Sequence, residues 1–130
     1  MFYLRRQAPP TNGTHMTPEE QMRHIDRLLS HVWMVRTFIK HSEEAAEDEE
    51  LGEIHRTLYD CMLALGGHYA AGDAESYLKA LRKKFGRLQQ ATQLFGDIQP
   101  EVSAHTNFQM AARSLTTAVE EIARTLAQRS

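Results

Sequence analysis

Residues 17–40 read TPEEQMRHIDRLLSHVWMVRTFIK, and this stretch decides the fold. Thr17 is a good N-cap, Pro18 suits the first helical position, and Glu20 completes a capping box with Thr17. Ile25, Leu28, Leu29, Val32, Val35 and Ile39 then recur at steps of three and four residues, the period of one apolar helical face. Such a face has to be buried against other elements.

Three further stretches repeat the pattern. Leu51, Ile54, Leu58, Met62, Leu65 and Tyr69 make the second stripe, with Asp48 as its N-cap and Gly66-Gly67 or Gly72 as its end. Asp73 caps the third helix, whose stripe is Tyr77, Leu78, Leu81, Phe85, Leu88 and Phe95, with Gly96 as the residue after its end. Pro100 opens the fourth, which carries Phe108, Ala112, Leu115, Val119, Ile122 and Leu126. The predicted helices are 17–46, 48–70, 73–95 and 100–128. Short connections between four amphipathic helices predict an all-α, antiparallel up-and-down four-helix bundle over 17–130. Residues 1–16, with Pro9-Pro10 and Asn12-Gly13, have no helical period and predict an extended N-terminal arm, which Phe2, Tyr3 and Leu4 could anchor.

The chain has 130 residues, the size of one domain. Its net charge of −2 gives no general attraction to nucleic acid or to membranes. The single cysteine, Cys61, allows no internal disulfide, which suits a cytoplasmic protein. No apolar run follows Arg5-Arg6, so no secretory signal is expected, and no segment approaches the length of a membrane span.

Arg36 interrupts the first stripe where an apolar residue is expected. Glu43 follows two turns later on nearly the same line, and His55 enters the second stripe. Polar groups on an apolar face must be paired or functional, because burying them alone is costly. Arg36, Glu43 and His55 are therefore the candidate ligand-binding or enzymatic cluster, or else an ion pair that fixes helix register. No reaction is specified by these residue types, and enzymatic activity is left open.

Histidine-based metal binding is a further alternative. His24 and His31 share one flank, His41 and Glu44 are three residues apart, and His55 could add a ligand. The paired Glu-x-x-His motifs of di-iron bundles are absent, so neither a metal nor a cofactor is expected. The stretch from Arg36 to His41 has a spacing similar to a motif of HEPN-type ribonucleases. On a straight helix, however, those two side chains point about 140° apart, so the spacing identifies no family. Nucleic acid is not expected as a partner.

Trp33, Met34 and Phe38 lie off the main stripe and make the first helix apolar around more than half its circumference. A helix apolar on two sides is usually buried on two sides. These three residues are the candidate interface, beneath the arm or in a homodimer. Lys79, Arg82, Lys83, Lys84 and Arg87 make the third helix basic and complement the acidic run from Glu43 to Glu53, within one molecule or between two. The functional expectation is a small binding module acting as a homodimer.

Overall fold

The computed structural model describes residues 15–128. The expected N-terminal arm, residues 1–16, lies outside them but for its last two positions. Among the described residues there is no strand. The helices are α1 (Pro18–Lys40), α2 (Glu43–Glu47), α3 (Glu49–Leu63), α4 (Gly66–Ala70), α5 (Ala74–Val102) and α6 (Thr106–Ala127). No helix among these residues is long and apolar enough to cross a membrane.

Local chemistry accounts for most of the ends. Thr17 Oγ1 accepts from the Glu20 N–H at 3.1 Å, and Glu20 Oε1 accepts from the Thr17 N–H at 2.8 Å, so the capping box is complete. Asp48 Oδ1 accepts from the Leu51 N–H at 2.9 Å, and Asp73 Oδ1 from the Ser76 N–H at 3.1 Å.

Three expected boundaries are corrected. The first helix stops at Lys40, not near 46. Ser42 is the cause: its hydroxyl donates to the Ile39 carbonyl at 2.7 Å and accepts from the Ala45 N–H at 3.2 Å. It thus closes α1 and opens α2, placing Glu43 and Glu44 in a first turn, where negative charge is favourable. The expected helix 48–70 is two pieces, α3 and α4, broken just before Gly66 and Gly67. Each of these glycines costs about 1 kcal/mol in a helix relative to alanine. Gly72 then turns the chain with a φ of 69°, open to glycine at little cost.

The third correction concerns Gly96 and Pro100. Helix α5 runs through both to Val102 instead of ending at Phe95. The apolar face continues past Phe95 through Ile98 and Val102, which pack on the core, and Gln99 is buried between them. That burial outweighs the glycine penalty of about 1 kcal/mol. Pro100 is exposed near the helix end, and its missing N–H removes a single backbone bond. The break falls instead at Ser103–His105, where His105 Nδ1 accepts from the Asn107 N–H at 3.0 Å and starts α6.

The four long helices share one core. Helix α1 packs on α3 and α6, and α5 packs on the same two, with α1 and α5 also in contact. The start of α1 meets the end of α6 at Gln21 and Thr125, and the end of α1 meets the start of α6 at Phe38 and Phe108, so these two run antiparallel. The stripe residues Ile25, Val32, Ile39, Leu51, Leu58, Leu81, Leu88, Leu115 and Ile122 are fully buried. Each contributes about 1.5–3 kcal/mol of transfer free energy.

Gln21, Thr92, Gln99 and Thr125 are buried and donate to backbone carbonyls. Thr92 Oγ1 donates to the Leu88 carbonyl at 2.8 Å and Thr125 Oγ1 to that of Glu121 at 2.9 Å. Gln99 Nε2 donates to the Ser103 carbonyl at 2.8 Å. Gln21, fully buried, donates from Nε2 to the carbonyls of Thr125 at 3.1 Å and Gln128 at 3.2 Å, satisfying acceptors that the end of α6 would otherwise leave open.

Candidate functional site

Arg36 lies on the side of α1 that faces α3. Its guanidinium carbon is 4.5 Å from the ring centre of Tyr59 and 5.0 Å from that of Trp33. The two rings are 6.0 Å apart and inclined at 45°. A cation over aromatic faces gains about 0.5–2 kcal/mol, depending on its exposure. The aromatic faces thus provide Arg36 with partners that a search for carboxylates misses. Its Nε is buried without a hydrogen-bond partner.

His55 stands one turn before Tyr59 on α3, as Lys40 stands one turn after Arg36 on α1. Burial holds the half-buried His55 imidazole below its ordinary range, and the positive charges of Arg56, Arg36 and Lys40 depress it further. The Arg56 guanidinium folds back over Gly52, within 3.4 Å of where a β-carbon would stand on that buried residue. Burial and the cations of both helices therefore disfavour the protonated form of this imidazole.

The expected cluster is only partly assembled. Arg36 and His55 come into electrostatic range of one another, whereas Glu43 is exposed in the first turn of α2. Among the described residues the ion pairs are His24–Glu121 at 3.3 Å and Arg124–Glu121 at 2.9 Å, and neither Arg36 nor Glu43 takes part in one. The expected pairing of Arg36 with Glu43 is therefore replaced by the Trp33–Arg36–Tyr59 contact. Premature termination of α1 at Ser42 explains the change, since Glu43 no longer continues the line of Arg36.

The three interface candidates divide between two flanks of α1. Trp33 turns to α3 and is 44% exposed. Phe38 turns to α6, its ring edge-on to Phe108 at 4.9 Å. Met34 shares that second flank and is 64% exposed. There, His31, Met110 and Ser114 line two adjoining clefts between α1 and α6, one reaching Met34 and Phe38, the other Leu28 and Glu121. The latter has a volume of about 530 Å³. Met110 is 50% exposed at the junction. Sequence reading missed Met110, which stands two residues after Phe108, off the fourth stripe.

The remaining histidines do not converge. His24 bonds Glu121, and His41 caps the end of α1, away from Arg36. Among the described residues no group of three or more histidine, cysteine, aspartate or glutamate side chains is placed to hold a metal ion. Glu121 is held below the ordinary carboxylate range by its hydrogen bonds to Arg124 and His24. The Cys61 thiol is buried and pushed up by that burial, which leaves it a poor nucleophile. The basic residues of α5 make no ion pair with the acidic run among the described residues, although Glu53 and Arg87 border one small cleft.

No protein-family model matches the chain, nor does any curated protein or solved structure.

Proposed function

We propose that the protein is an antiparallel up-and-down four-helix bundle that works by binding, and that it acts as a homodimer through the α1–α6 flank. The packing of α1 and α5, each on both α3 and α6, supports the bundle reading. One observation carries the interface reading: Met34 and Met110 stand exposed on adjoining turns of two helices, over the half-buried Phe38. Contiguous exposed apolar side chains on an otherwise polar surface mark association sites, and methionine adapts well to a second copy of itself. A small net charge opposes self-association little. Trp33 faces α3 and stands apart from this contact. Residues 1–14 precede α1 and are the second element of the proposed contact.

Sedimentation at several micromolar concentrations tests the reading. The unchanged chain is expected to sediment as a dimer, and the double variant Met34→Glu, Met110→Glu as a monomer of unaltered helical content. A chain lacking residues 1–14 is expected to dimerise more weakly. A monomer at every concentration of the unchanged protein overturns the proposal.

A further inference from the structure

The opposite flank of α1 borders a cleft that shares no lining residue with the proposed dimer contact. Asp26, Leu29, Ser30 and Trp33 follow one line of α1, three and four residues apart, and form one wall. Met62, near the end of α3, and Leu65, just beyond it, form the other, and the volume is about 260 Å³. Gly66 keeps the rim open, since a β-carbon there would meet nothing within 4 Å. Leu29 and Leu65 are buried and Met62 packs on the core, so the floor is apolar. Besides the Trp33 indole, two polar side chains border the cleft, and both present acceptors. Asp26 accepts from the Tyr77 hydroxyl at 3.0 Å and has no ion-pair partner among the described residues, even though Arg23 stands one turn before it. The Ser30 hydroxyl commits its proton to the Arg27 carbonyl at 2.6 Å, which leaves its oxygen as an acceptor.

We propose that this cleft binds a small primary amine, with its ammonium group on Asp26 and Ser30 and an apolar body of about one ring on Leu29, Met62 and Trp33. A primary ammonium carries three donors and no acceptor, the complement of a carboxylate beside a hydroxyl oxygen. Asp26 and Ser30 are four residues apart on one helical face, so a single nitrogen can meet both. An apolar floor with a few placed polar groups is the usual make-up of a small-molecule site. Charge sets the orientation of the ligand. The Arg36 guanidinium lies 5.0 Å from the centre of the Trp33 ring and repels a second cation from that end. Asp26 stands two turns before Trp33, roughly 10 Å along the axis, and draws the ammonium to the other end. The uncharged body then lies toward Trp33. This site is independent of the proposed dimer contact.

The chain has one tryptophan, Trp33, and it lines the cleft, so its fluorescence reports on this site. Titration with phenethylamine at neutral pH is expected to change Trp33 emission saturably. Phenethyl alcohol, the same body without the charge, is expected to bind about tenfold more weakly or worse. Asp26→Asn keeps an acceptor for Tyr77, so it is expected to retain the helical content and to weaken the amine about tenfold or more. Ser30→Leu, at an exposed position, is expected to narrow the cleft and to weaken the amine several-fold. The comparison of amine with alcohol uses the unchanged chain and decides the matter should Asp26→Asn fold poorly. A response that never saturates, that ammonium chloride reproduces at equal concentration, that the alcohol matches, or that persists undiminished in Asp26→Asn overturns the proposal.

Discussion

The hydroxyl of Tyr77, near the start of α5, donates to Oδ1 of Asp26 in α1 at 3.0 Å. Tyr77 is otherwise fully enclosed, and burial together with the Asp26 charge pushes its phenol above the ordinary value of 10.0. The folded protein therefore holds this proton more tightly than the unfolded chain does. The stability it contributes is complete below pH 10.0 and is lost as the pH rises beyond it, by up to about 1.4 kcal/mol per unit. Tyr77→Phe should cost about 0.5–1.5 kcal/mol at neutral pH and should flatten the alkaline decline. Urea unfolding from neutral pH to about pH 11 checks both effects, and an unchanged alkaline slope in the variant would refute the assignment.

Gln21 offers a second test. Gln21→Met keeps the side-chain length but removes both donors from the end of α6, for an expected loss of about 1–2 kcal/mol. Hydrogen exchange should show the loss first in the last turn of α6. Equal protection in the two proteins would mean that the glutamine does not secure that end.

Glu121 joins α1 to α6 through His24, and its depressed carboxyl sets the sign of its pH dependence. Its contribution is present above its ordinary value of 4.5 and disappears as the pH falls through the lower value of the folded state. The carboxylate is 39% exposed, so Glu121→Gln should cost less than about 1 kcal/mol at neutral pH. The two proteins should converge in strong acid and in high salt. A difference independent of both would point to packing, not charge.

Two glycines should respond in opposite directions. A β-carbon would meet nothing within 4 Å at either Gly72 or Gly96, so backbone geometry alone decides. Gly72→Ala forces a left-handed conformation and should cost about 1–2 kcal/mol. Gly96→Ala, inside α5, should instead stabilise by about 0.5–1 kcal/mol. Thermal midpoints shifting the same way would contradict this account.

The stripes and three N-caps, Thr17, Asp48 and Asp73, were legible in the sequence because each depends on neighbours a few residues away. The course of α5 through Gly96 was not, because burial of Ile98 and Val102 by other helices decides it. The end of α1 was hidden for a related reason: Ser42 serves two helices at once, while the acidic run draws attention to position 47. Arg36 stood out correctly as a polar intruder, but its aromatic partners could not be read from a pattern of opposite charges. Gln21 was open to the same reasoning as Arg36, since it lies four residues before Ile25 and seven before Leu28 on the same stripe.

Gln21 also places the first turn of α1 beside the last residues of α6, so the described chain nearly returns to its own beginning. The order in which the helices follow one another is then partly arbitrary. A circular permutant that joins these neighbouring ends and opens at the exposed Ala104 would keep α1–α3, α3–α5, α5–α6 and α6–α1 packing. Such a protein would begin with α6 and end with α5, and the two flanks of α1 would keep their surroundings.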